Sequence, residues 1–229
     1  MSKKLSLVCL VAVLALVSNA SAGLIEHWGF DDAVGSTTAV GDNGFNGAVQ
    51  GATFTGAGGG YDGVGGAINF AGLYDWVKPA TNTLASVNGQ VTVACWTYGA
   101  ANNPSNPYGS TLISAYGPAW QLWINIPDVQ YGNQIFFNAG GNVTSAAAED
   151  SDFKGQWNHW AFTADTGTGE MKMYLHGVEF ASFSGNTLPL SGAGVFLLAI
   201  GNHPYGNWNY TGLLDAAYIY NDVLSESDI

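Results

Sequence analysis

The run MKMYLHGVEFASF, Met171 to Phe183, decides the fold. Met171, Met173 and Leu175 alternate with Lys172 and Tyr174, and His176-Gly177 supplies a compact turn before the next apolar run. Period-two alternation on both sides of a two-residue turn predicts a β-hairpin. The same grammar repeats outward. LIEHWGF, AINFAG, YDWVKP, VTVACWTYG, TLISAY, WQLWINI, QIFFNAG and WNHWAFTAD precede the hairpin, and VFLLAIG and LLDAAYIY follow it. Each run spans roughly 5–9 residues, as globular strands do. Gly, Asn and Asp punctuate them, and no segment after residue 22 shows a long apolar face at helical period. Many short strands with regular turn signals predict an all-β sandwich or barrel. No linker or repeat divides the chain, so one domain over 23–229 is expected.

The first 22 residues read differently. Lys3 and Lys4 precede an apolar run from Leu5 to Val17 and a small-residue end, Ala20-Ser21-Ala22. This is the pattern of a secretory signal, with cleavage expected after Ala22. The run is too short for a comfortable membrane span. The expected location is secreted or cell surface. Beyond the signal, Lys78, Lys154 and Lys172 are the only side-chain cations against 17 carboxylates, a net charge of −14, and there is no Arg. Nucleic acid and anionic lipid need neutralising cations, so neither is an expected partner. A neutral or cationic partner, or a divalent cation, is compatible. Cys95 stands alone in an apolar strand and is read as a buried small hydrophobe.

Catalytic motifs do not emerge. His27, His159, His176 and His203 have no zinc-site spacing. No G-x-S-x-G occurs, and no two of Glu26, Glu149, Glu170, Glu179 and Glu226 are close enough to share one strand face as a hydrolase pair. Glu149-Asp150-Ser151-Asp152 reads as a solvated loop, and GAGGGYDGVGG, Gly56 to Gly66, as a flexible connection. Phe30-Asp31-Asp32 and GDNGFNG, Gly41 to Gly47, offer oxygens suited to calcium, though Asp and Asn before Gly also simply make turns. The remaining lead is aromatic. GNHPYGNWNYTG carries Tyr205, Asn207, Trp208 and Tyr210, and YGPAWQLWINI carries Trp120 and Trp123. Sugar C–H faces stack on such rings while amides bind hydroxyls; large rings can equally be core. Trp208, in a polar loop, is open to either reading. Trp96, Trp157 and Trp160 read as core.

Taken in order, these motifs resemble the laminin G-like, concanavalin A-like lectin/glucanase family. HWGFDD is similar to that family's W-x-F-D-D/E opening, and GDNGFNGAV to its D-S-S-G-N segment. GGAINFAGLYDWV, VTVACWTY, QWNHWAFTADTGTGEMKMYLHGVEFAS and GLLDAAYIYNDVLSESDI resemble its later strands. The resemblance implies two antiparallel sheets in a jelly-roll β-sandwich, glycan or protein binding outside the cell, and often a calcium ion. It implies that first and last strands pair, bringing Asp31 or Asp32 towards Asp215, with Asp42 as a further candidate ligand. Two departures each remove an oxygen ligand: Ala39 or Val40 falls where the D-S-S-G segment begins, and Ala216 follows Asp215. Asp215 has a rival role, as a hydrogen-bond acceptor tying the last strand down.

The expectation is an exported, non-catalytic recognition module for extracellular polysaccharide or glycoprotein, supported by calcium. Its ligand residues would be Trp208, Tyr210, Tyr205, Asn207, Trp120 and Trp123. The alternatives are a structural or protein-adhesion domain and, third, a glycoside hydrolase or lyase. At the end of the chain, Ser225 reads as the cap of a helix that the sequence cuts short at Ile229.

Overall fold

The computed structural model describes residues 23–118, 120–203 and 206–229; the expected signal lies outside them. The hairpin forms as read. Strand β13 (Glu170–Leu175) turns through His176-Gly177 into β14 (Val178–Phe183), and His176 takes a positive φ of 54° at the turn. Strand β12 (Asn158–Asp165) pairs with β13 on one side and with β7 (Gln90–Gly99) on the other. Beyond β7 lies β16 (Gly212–Tyr220), then β5 (Ile68–Phe70) and β4 (Thr53–Phe54), with β1 (Leu24–Trp28) also paired to β16. These eight strands make the first sheet.

The second sheet runs in the order β11 (Asn142–Ala147), β10 (Gln134–Ala139), β9 (Trp120–Asp128), β8 (Gly109–Tyr116), β15 (Leu197–Ile200), β6 (Trp76–Pro79), β3 (Gly47–Gln50) and β2 (Thr38–Ala39). All the pairings are antiparallel, so the chain is a two-sheet β-sandwich. Alternate residues of facing strands fill one core. Trp28, Trp160, Phe162, Phe137 and Ile124 are all fully buried there. Each such side chain contributes about 1.5–3 kcal/mol by leaving water. Cys95 is part of this core, and burial pushes its thiol pKa well up, as fits an inert packing residue.

Four short strands went unread: β2, β3, β4 and β11. They are two to six residues long and carry no sustained run of large apolar residues, so their place is set by neighbours rather than by pattern. The acidic loop is corrected too. Asp150–Phe153 forms one helical turn, with the Glu149 backbone N–H donating to Asp152 at 2.8 Å and Phe153 buried beneath. The expected closing helix is a single turn in which Asp228 N–H donates to the Ser225 carbonyl at 2.9 Å. Only Trp160 of the three core tryptophans is fully buried; Trp96 and Trp157 are half-buried, with Trp96 under Tyr61 and Trp157 against Tyr98.

Candidate functional site

The outer face of the second sheet carries a patch of rings. On β9, Leu122, Ile124 and Ile126 point into the core, which turns Trp123 and Asn125 outward. On β10 the same alternation sends Ile135 and Phe137 in and Phe136 out. Trp123 stacks on Trp208 with centroids 4.5 Å apart and planes 21° apart, and meets Phe136 edge-on at 5.0 Å. Tyr108 stacks on Trp208 at 5.9 Å, and Tyr131 on Phe136 at 5.3 Å. Tyr108 and Tyr131 are the exposed rings, at 40% and 50%.

A hydrogen-bonded scaffold fixes these rings. The Trp123 indole N–H donates to Asn125 Oδ1 at 2.7 Å, and Thr111 Oγ1 donates to the same oxygen at 2.7 Å. Asn125 in turn donates to Asp128 Oδ2 at 2.6 Å. The other Asp128 oxygen accepts from the backbone of Gln130 and Tyr131, setting the turn that presents Tyr131. Burial raises the Asp128 pKa against the lowering effect of Asn125 and the two turn amides. The loop bearing Trp208 is knitted to the loop before β8. Thr111 N–H donates to the Trp208 carbonyl at 2.9 Å, Asn106 and Asn209 bond each other, and Ser105 and Thr211 share a hydroxyl hydrogen bond at 2.7 Å. Asn207 sits exposed beside Trp208 with φ 77°, a conformation Asn tolerates better than most residues.

His203 packs against both indoles, at 4.6 Å from Trp208 and 5.5 Å from Trp123. Burial lowers its pKa to about 4, so the patch holds a neutral imidazole at pH 7. Its stabilising contribution is complete above the ordinary pKa near 6.5 and is lost as pH falls through about 4. Acid titration of tryptophan fluorescence is therefore expected to show a transition near pH 4 that His203→Gln removes. An unchanged transition in the variant would place its origin elsewhere.

The structure brings some of the expected ligand residues together and not others. Trp123, Trp208 and Asn207 come together at one patch. Tyr210 does not: it is fully buried, edge-on to Phe70, with its hydroxyl donating to the Leu213 carbonyl at 3.3 Å, so it is core and withdrawn as a ligand residue. Tyr205 lies outside the described residues, and Trp120 is described only as the backbone start of β9. Tyr108, Tyr131, Phe136 and His203 were missed. Asn106-Pro107-Tyr108-Gly109 and Tyr131-Gly132-Asn133 carry the same ring-among-turn-residues signal that singled out Trp208.

The aspartates gather only as a pair with a neighbour. On β16 the ladder breaks between Asp215 and Tyr218, where Ala216 has φ 47°, and the gap separates the β5 and β1 pairings. Into this gap packs the glycine-rich loop, tied down by hydrogen bonds along its length. Tyr61 N–H donates to Asp215 Oδ2 at 3.0 Å, and Gly66 N–H donates to Asp31 Oδ1. A Cβ on Gly60 would stand 2.7 Å from Asp215 Oδ2 and one on Gly65 2.6 Å from Asp31 Oδ1, so the loop can be this close only as glycine. Asp31, Asp62 and Asp215 line a cavity of about 160 Å³ walled by Tyr61, Tyr218 and His27. Asp32 instead accepts from Val40 N–H at 3.1 Å, and Asp42 pairs with His27 Nδ1 at 2.8 Å. Asp62 is occupied by Val64 and Gly65 N–H.

The set is three carboxylates, each with one oxygen taken by backbone N–H, where calcium takes six to eight oxygens in all. Among the described residues no three His, Cys, Asp or Glu side chains are grouped to hold a metal ion. Asp215 is 4% exposed, and burial raises its pKa, with Tyr61 N–H opposing and the Asp31 and Asp62 charges adding to the rise. A raised carboxyl pKa gives stability that is complete below about 3.9 and is lost as pH rises through the folded value. Asp215→Asn keeps the acceptor and drops the charge. It is expected to raise the melting temperature at pH 7 by a few degrees, in calcium and chelator alike, and to narrow the difference from wild type as pH falls. A variant that melts lower only in calcium would restore the metal reading.

Three comparisons bear on this site. The family model described as the Concanavalin A-like lectin/glucanases superfamily matches residues 70–229. No curated protein matched the chain. Among solved structures, domain 4 of AbnA, a GH43 extracellular arabinanase from Geobacillus stearothermophilus, in complex with arabinotriose, aligns with a TM-score of 0.61 and 22% identity, over 90% of this chain and 96% of that one. Trypanosoma rangeli sialidase aligns at 0.62 and 18% over 91% of this chain, and the Botulinum neurotoxin serotype D ligand binding domain, in complex with N-acetylneuraminic acid, at 0.65 and 13% over 90%. The alignments span 32% of the sialidase chain and 49% of the toxin chain. The expectation of a non-catalytic chain is corrected here. Chains of an arabinanase and a sialidase carry this sandwich, so the missing Glu pair gives no ground for setting enzymes apart from it.

Proposed function

Because the chain belongs to the Concanavalin A-like lectin/glucanases superfamily, we propose that it is exported and recognises extracellular glycan through the ring patch of Trp123, Trp208, Tyr108 and Tyr131. The observation that carries this is the patch itself. Rings face outward from the second sheet and are held by a buried Asn125–Asp128–Thr111 scaffold. A rigid aromatic platform beside amides is the surface that sugar rings and hydroxyls need, and its order before binding lowers the entropy cost of capture. The ligands named with two similar structures, arabinotriose and N-acetylneuraminic acid, support a saccharide as the ligand class. Screening residues 23–229 against a polysaccharide panel tests the reading; no binding to any member would overturn it.

One observation favours hydrolysis as a second reading. Asp215 on the first sheet, with its raised pKa, shares a cavity with Asp31 of the loop after β1. A buried carboxyl with a raised pKa is suited to act as general acid, and a second carboxyl in the same cavity supplies a candidate partner. Release of reducing ends from the same panel, abolished by Asp215→Asn, would support it; no release would exclude it for those polymers.

A further inference from the structure

From the distribution of charge around the patch we infer that its ligand is an uncharged glycan and that anionic sugars, sialic and uronic acids included, are rejected. The inference rests on the glycan reading and narrows it. Recognition of a sugar carboxylate calls for a cation, and Arg is the residue best shaped for it. This chain has no Arg. Each of its three lysines beyond residue 22 has a partner that is not a patch residue. Lys154 pairs with Asp150 at 2.8 Å, Lys172 with Glu170 at 3.2 Å and Glu179 at 3.3 Å, and Lys78 lies 3.5 Å over the Trp76 ring. The one titratable base in the patch, His203, is neutral above about pH 4.

What the patch offers instead is uncharged. The rings supply apolar faces. Asn207 adds an exposed amide beside Trp208. The nearest fixed charge is negative: Asp128, 1% exposed, lies beneath the Tyr131 turn, and among the described residues no cation is paired with it. An anionic chain approaching this face therefore meets a buried carboxylate and a molecule of net charge −14 beyond the signal. Like-charge approach costs both affinity and association rate. An uncharged sugar meets only rings and amides.

The test is affinity electrophoresis and calorimetry of residues 23–229 with arabinan, xylan and β-1,3-glucan as neutral polymers, and polygalacturonate and polysialic acid as anionic ones. Expected is retention by at least one neutral polymer, roughly tenfold or more tighter than by either anionic one. Gln130→Lys supplies the converse arm, since Gln130 is exposed next to Tyr131. It is expected to gain salt-sensitive binding to polygalacturonate while neutral binding holds. Wild-type binding to an anionic polymer at equal or greater affinity would overturn the inference and leave the glycan reading standing. Retention by no polymer of either class would overturn both.

Discussion

Trp208→Ala is expected to weaken binding of a neutral oligosaccharide by roughly 30-fold, about 2 kcal/mol, the loss typical of a central aromatic anchor. The argument is geometric. Trp208 stacks between Trp123 and Tyr108, so its removal takes away the middle of the platform and leaves both neighbours free to reorient. The loop should keep its course, because it is held by bonds that do not use the indole: Thr111 N–H to the Trp208 carbonyl, and Asn209 to Ser105 and Thr211. Calorimetry should thus show a large affinity loss with a melting temperature within a few degrees of wild type. Wild-type affinity in this variant would remove the patch from the binding account.

Glu26→Ala is expected to give the largest loss of stability, about 4 kcal/mol and roughly 10 °C in melting temperature. Glu26 is fully buried in β1. Its Oε1 accepts from His27 N–H at 2.9 Å and Asn43 N–H at 2.7 Å, and Oε2 from Phe45 N–H at 2.7 Å. Among the described residues no cation pairs with it; three backbone donors hold the carboxyl group. Deleting the carboxylate strands those donors, and the loop of Asp42 to Phe45 loses its anchor to the first strand. Glu26→Gln should cost less, since one oxygen still accepts. Thermal melts of both variants check this. A loss below about 1 kcal/mol for Glu26→Ala would show that water replaces the carboxylate without penalty.

Glu26 and Asp215 also show what the chain reveals in one dimension. Each stands as an isolated charge in an apolar strand, visible in LIEHW and LLDAAYIY. Apart from the adjacent His27 N–H, their partners are distant: Glu26 binds residues 17 and 19 positions away, and Asp215 binds Tyr61 at a separation of 154. The strands were legible because alternation is local, and the hairpin of β13 and β14 follows from thirteen residues alone. The short strands β2, β3, β4 and β11 were not, because register with a neighbour defines them. The site was half legible for the same reason. Trp208 betrays itself as a ring among Asn and Gly. Tyr210, two positions on in the same polar run, goes to the core because the chain there crosses from the second sheet to the first. Nothing in the spacing separates the two.

The central claim is that glycan binds at the ring patch of the second sheet, and it can be followed at the tryptophan indole N–H resonances during titration with a neutral oligosaccharide such as arabinotriose. The account predicts that Trp123 and Trp208 shift together and saturably, while Trp96 and Trp157 on the first sheet stay in place. Shifts confined to Trp96 and Trp157, with Trp123 and Trp208 unmoved, would contradict it.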